Sequence, residues 1–126
     1  MRIVPFTALL SLAAAPLAAR APSQDKMLAG RTAGTPASCI TQSQIDSTVI
    51  FDSGAILYKM KGGPDYLNTP SPHCPNLRSD SAIVSRTYSN QLCRGDILQI
   101  VDPTTGANYG GCPLGDFVPY ARPKKP

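Results

Sequence analysis

Glutamate and tryptophan are absent from this 126-residue chain, and histidine occurs once. With all eight acidic side chains being aspartates, carboxylate-rich metal cages and glutamate-dependent acid–base chemistry are excluded. Aromatic residues are few, five tyrosines and three phenylalanines, which leaves little for a nucleic-acid stacking groove. The length excludes multidomain machinery and long coiled coils, and no internal repeat is present. What the chain does have in excess is turn residues. Thirteen prolines and ten glycines exceed the ordinary combined share of about 12 %, yet stay below the roughly 25–30 % of low-complexity chains.

The first residues read as a leader. Met1-Arg2 forms a positive n-region, Ile3 to Leu12 an apolar h-region, and Ala13 to Ala21 a small-residue stretch broken by Pro16, the pattern of a secretory signal peptide over residues 1–21. Ala19-Arg20-Ala21 has the A-x-A form, and cleavage after Ala18 or Ala19 avoids Pro22 beyond the scissile bond. The apolar run is shorter than the ~20 residues that span a bilayer, so no stable membrane span is expected after processing. Leu28-Ala29-Gly30 is followed by Arg31, where a lipidated cysteine would have to stand. The formal charge of +4 falls when Arg2 leaves with the leader.

Residues 22–38 hold hardly any large apolar side chain and are expected to be a flexible spacer. A folded domain is expected over residues 39–120, followed by a basic tail, residues 121–126, carrying Arg122, Lys124 and Lys125. These cations, and Lys59 and Lys61, are not interleaved with aromatics, so no nucleic-acid partner is expected. The bland reading of the tail is a solvated one.

Between Cys39 and Tyr120 the apolar residues come in short β-branched runs split by turn residues, the strand pattern. Thr48–Phe51 and Ala55–Met60 around Asp52-Ser53-Gly54 read as a hairpin. Lys61 to Asp65 is a second turn leading into Tyr66-Leu67-Asn68. Ala82–Tyr88 and Ile97–Val101 are further strands, Asp102 to Gly106 is a turn, and Phe117–Tyr120 closes the set. Ser43 to Ser47 is the one expected helical turn, and Cys74 to Leu77 a tight turn. The fold class is mainly β, a small antiparallel meander of about six short strands forming a compact barrel or sandwich.

Cys39, Cys74, Cys93 and Cys112 form an even set in an exported domain, and two disulfides are expected. A metal site is not, because no C-x-x-C pair exists and His73 adjoins Cys74. A Cys74–His73 nucleophile and base is disfavoured because neighbours rarely reach that geometry. A regular hairpin about Asp102 to Gly106 sets Val101 opposite Ala107, Cys93 opposite Gly115 and Cys112 opposite Asp96. A Cys93–Cys112 bridge would then span roughly 10 Å along the strand, beyond disulfide reach, and the other two connectivities remain open.

Candidate site residues are sparse. Asp96, between Gly95 and an apolar strand, is the candidate polar site, against its reading as a turn cap. The proline-flanked segment Thr69, Pro70, Ser71, Pro72 and His73 is the candidate interaction loop. The five tyrosines serve either as a recognition patch or as half-buried core. No cofactor, metal or catalytic residue is assigned.

The order Cys39-Ile40, Ile56-Leu57-Tyr58, Tyr66-Leu67-Asn68, Cys74-Pro75-Asn76-Leu77, Leu92-Cys93-Arg94-Gly95-Asp96-Ile97 and Gly111 to Phe117 resembles a family of short exported proteobacterial proteins classed as a domain of unknown function. The likeness runs from about Cys39 to Pro119. The family more often has glycine where Asn76 stands, and both residues tolerate positive φ. The resemblance implies export, two disulfides and a Gram-negative periplasm or exterior, with no substrate and no catalytic residue. The expected function is therefore a non-enzymatic exported domain binding an envelope or extracellular protein or glycan. Two alternatives stand beside it: an inhibitor of a secreted hydrolase such as a protease or lysozyme, and a small periplasmic enzyme using Asp96 and His73.

Overall fold

A computed structural model describes residue 14, residues 21–70 and residues 74–123. The leader thus lies, but for Ala14 and Ala21, outside the described residues, as do Ser71, Pro72, His73, Lys124 and Lys125. Among the described residues the chain is mainly β. Nine strands follow a short helix α1 (Gln24–Leu28): β1 (Cys39–Thr41), β2 (Ile45–Ile50), β3 (Ile56–Met60), β4 (Asp65–Asn68), β5 (Ala82–Ser85), β6 (Gln91–Cys93), β7 (Ile97–Val101), β8 (Asn108–Pro113) and β9 (Phe117–Tyr120). They form three antiparallel sheets, β2-β3-β4-β9, β5-β7-β8 and β1-β6.

The two larger sheets face each other across one core. Ile56, Tyr58 and Met60 of β3 and Phe117 of β9 meet Leu98 and Ile100 of β7, with Ile40 and Leu92 of β1 and β6 closing one side. Alternation explains β7, where Leu98 and Ile100 point inward and Ile97 is exposed. β3 departs from alternation because it is buried on both faces. Leu57, on the opposite face from Tyr58, joins a second cluster with Phe51, Ala55 and Leu67, and Met27 and Leu28 of α1 pack on it.

Residues 22–38, expected as a flexible spacer, therefore carry structure. Ser23 caps α1, and the chain then runs along the free edge of β9. Gly34 N–H donates to Pro119 O at 2.8 Å, and Ala37 and Phe117 exchange backbone bonds at 2.8 and 2.9 Å. Sparse as the apolar residues are there, Met27 and Leu28 join Val49 and Tyr120 in packing against the cluster around Leu57. The tail, expected to be solvated, is also anchored through Arg122.

Both anchors meet at Asp65, which is fully buried. Its Oδ2 accepts from Arg31 Nη1 at 2.8 Å, and its Oδ1 accepts from Arg122 Nη2 at 3.0 Å and from Met60 N–H at 3.1 Å. Arg122 also donates to Met60 O. Burial pushes the Asp65 carboxyl up, but the hydrogen bonds from Arg31, Arg122 and Met60 outweigh it and hold the group below its ordinary range. Three residues along β4, buried Asn68 exchanges two bonds with Gly115, donating to its carbonyl at 2.8 Å and accepting from its N–H at 2.9 Å.

Two disulfides are present, Cys39–Cys93 and Cys74–Cys112. Cys93 and Cys112 are not bonded to each other, but the register expected between β7 and β8 needs correcting. Val101 pairs with Asn108, Leu98 with Cys112 and Ile97 with Pro113, with an irregularity between Gln99 and Val101. Gly110, at φ 99°, takes up the extra residue. The Asp102 side chain caps the turn itself: its Oδ1 accepts from the N–H groups of Thr104 and Thr105 at 2.8 and 3.0 Å. Cys74 to Leu77 forms the expected turn, Leu77 N–H donating to Cys74 O. The helical turn expected at Ser43 to Ser47 is a 3₁₀ turn over Gln42–Gln44 that ends where β2 begins.

Candidate functional site

The inward residues of β7 leave Ile97, Gln99 and Val101 on the outer face of the β5-β7-β8 sheet. Register places Val84 beside Gln99, and Gly111 on its other side. A side chain at Gly111 would put a Cβ 2.7 Å from Ile97 Cγ2 and 3.0 Å from Gln99 Nε2, so the glycine lets those two side chains lie across the sheet. Residues 86–89 and 91, leading from β5 into β6, and the turn after β6 raise a wall along this face. The result is a trough of ≈ 940 Å³.

Four large hydrophobic side chains are exposed among the described residues, and Val84, Ile97 and Tyr88 line this trough. Tyr88 makes no use of the core at all, with its full surface in solvent. Arg86 and Asp96, of opposite sign, also line it, so the trough carries no dominant charge. The fourth exposed hydrophobic, Tyr109, lines a different concavity.

Asp96 belongs to the wall and closes its turn. Its Oδ2 accepts from Cys93 N–H at 2.7 Å, its own N–H donates to Cys93 O at 3.1 Å, and Gly95 between them sits at φ 88°. One carboxylate oxygen is thus committed to backbone, the turn-cap arrangement. The structure does not bring Asp96 into an acid–base constellation among the described residues. His73, its partner in the enzyme alternative, lies outside them with Ser71 and Pro72. Of the candidate loop, Thr69 is exposed and Pro70 buried. The tyrosines divide: Tyr58 is core, Tyr66 and Tyr120 are partly buried, and Tyr88 and Tyr109 are exposed.

Val84, Ile97 and Gln99 were not singled out from the sequence as functional. The signal lay in Ile97-x-Gln99-x-Val101, whose outward set is as β-branched as a core set, so alternation alone could not say that this face is uncovered. Among the described residues no group of three histidine, cysteine or acidic side chains is placed to hold a metal ion. A third concavity, of ≈ 430 Å³, gathers Arg31, Lys59, Lys61 and Arg122, but both arginines are already engaged by Asp65. No family model, no curated protein and no solved structure matches the chain.

Proposed function

We propose that this chain is an exported, non-enzymatic binding domain that takes a protein partner of the envelope or cell exterior in the trough over β5, β7 and β8. The observation that carries this reading is the gathering of Val84, Ile97 and Tyr88, three of the four exposed large hydrophobics of the described residues, in one concave face. Tyrosine and arginine over an apolar floor are the side chains that protein interfaces favour. The near balance of Arg86 and Asp96 argues against polyanions. The leader, the two disulfides and the likeness to exported proteins support the location, since disulfides persist in oxidising compartments.

The test is site-directed photo-crosslinking on the full chain expressed in a Gram-negative host. A crosslinker at position 97 or 88 should capture one protein species. Capture should be competed by excess unlabelled protein, not by Ile97→Asp, and should be absent from position 109. Self-crosslinking, a glycan adduct, or equal capture from position 109 would each defeat the proposal.

A further inference from the structure

A second site lies at one end of the four-stranded sheet. Lys59 and Lys61 flank Met60, the last residue of β3, Asp65 opens β4, and Arg122 follows β9, whose Tyr120 pairs with Asp65. Arg31, past α1, and Asp46 of β2 complete the charged lining of the ≈ 430 Å³ concavity they share. Four cations thus face two carboxylates, a surplus of two positive charges.

Asp65 engages both arginines without exhausting them. Arg122 gives it Nε at 3.3 Å and Nη2 at 3.0 Å, the edge of the guanidinium that carries two parallel donors. Arg31 gives it only Nη1, at 2.8 Å, and so keeps its own Nε–Nη2 edge. That edge is not sealed, because among the described residues only the Tyr58 hydroxyl is both buried and unpaired. Nor is it freely hydrated, since the Arg31 side chain is 13 % exposed. A guanidinium edge held still and partly desolvated is the geometry that takes two oxygens of an oxyanion at once. Lys61 is fixed by its Nζ donating to Ser43 O at 2.9 Å, and an ammonium keeps two further donors after one bond. Lys59 takes part in none of the ion pairs among the described residues.

We propose that this concavity binds a dianionic phosphate group, two of whose oxygens accept from the Nε–Nη2 edge of Arg31 while Lys59 and Lys61 supply the remaining charge. A dianion cancels the surplus of two, which a monovalent carboxylate does not. Asp46 and Asp65 set the limit in the other direction, because a longer polyanion would bring further negative charge against them. The same chemistry belongs to the free ion and to a phosphate esterified on a larger molecule. The site is on a different sheet from the trough, so each stands or falls without the other.

Amide chemical shifts of the oxidised, processed protein are followed by NMR at low salt and about pH 8, where phosphate is dianionic, with inorganic phosphate, glycerol 3-phosphate and acetate as probes. Both phosphates should give saturable shifts centred on Arg31, Lys59 and Lys61, and acetate, with half the charge, should bind at least about tenfold more weakly. Tighter binding of glycerol 3-phosphate assigns the site to an esterified phosphate, and equal or weaker binding to the free ion. Lys59→Gln should weaken phosphate about threefold and Asp46→Asn should tighten it by about as much, the size of one partly screened charge. Arg31→Lys, which keeps the charge beside Asp65 and gives up the two-donor edge, should weaken it about tenfold. Lys59 and Asp46 lie outside the Asp65 clamp, so their variants decide the matter if Arg31→Lys folds poorly. Absence of saturation by about 10 mM, acetate binding as tightly as phosphate, or indifference to Lys59→Gln and Asp46→Asn alike would overturn the proposal. So would shifts that vanish in Lys124→Gln/Lys125→Gln, which would make the binding a property of the tail.

Discussion

Replacing Asp65 by asparagine removes one charge and hardly any volume at the point where both ends of the described chain are tied down. The new side-chain amide could still accept from Met60 N–H through its oxygen, but its NH₂ would face the Arg31 guanidinium, donor against donor. Arg31 is 13 % exposed and cannot turn fully to water, whereas Arg122 is 46 % exposed and can. Breaking a buried pair by removing one partner costs about 3–5 kcal/mol, and the escape open to Arg122 puts this case near 3 kcal/mol. A domain of this size has a total stability of only about 5–15 kcal/mol. With a urea m-value of about 2 kcal/mol/M, the midpoint should fall by about 1.5 M. Arg31→Ala should cost less, and Arg122→Ala about 1 kcal/mol or below, as exposed pairs do. The pH dependence has a fixed sign. The folded carboxyl titrates below its unfolded value of about 3.9, so its stabilisation is complete above that value and fades as pH falls through the folded pKa. Asp65→Asn should flatten this acid limb, leaving the part due to Asp52 and Asp102, whose carboxyls are also held down by hydrogen bonds. Urea titrations of wild type and variant at neutral and acid pH measure both effects. A loss under about 1 kcal/mol, or an unchanged acid limb, would refute the clamp.

Three further outcomes are expected. Tyr58→Phe should raise stability by about 1 kcal/mol in urea unfolding, because it deletes an unpaired buried hydroxyl and keeps the ring against Phe117. Gly115→Ala should lower it by about 2 kcal/mol, since its Cβ would stand 2.5 Å from Thr69 O, whereas Gly62→Ala, with nothing within 4 Å, should be near neutral by the same assay. Graded reduction followed by alkylation and mass mapping should open Cys39–Cys93 before Cys74–Cys112. Cys39 is exposed while Cys74 and Cys112 are buried, and exchange requires access by the attacking thiolate. Simultaneous opening would contradict that.

The β-rich class was legible because runs such as Thr48 to Phe51 and Ile97 to Val101 carry their strand character locally. Strands β1, β6 and β8 were not. The first two are three residues long, and β8 contains Gly110-Gly111 and Pro113, which strand propensity counts against and an edge position tolerates. The Asp65 clamp joins residues 34 and 57 positions apart, and nothing near Asp65 in the sequence announces either arginine. The trough shows the same limit. Alternation identifies two faces of β7, and only the tertiary fold decides which one is covered.

The two disulfides interleave, Cys74 lying between Cys39 and Cys93, and Cys93 between Cys74 and Cys112. Every peptide bond from Cys39 to Cys112 is therefore spanned by at least one bridge, and every bond from Cys74 to Cys93 by both. A protease that cuts once anywhere in that range nicks the domain without releasing a fragment. The wall of the trough, from Arg86 to Gln91, lies in the doubly spanned stretch, so even a cut in this exposed segment leaves both sides of the trough tethered twice.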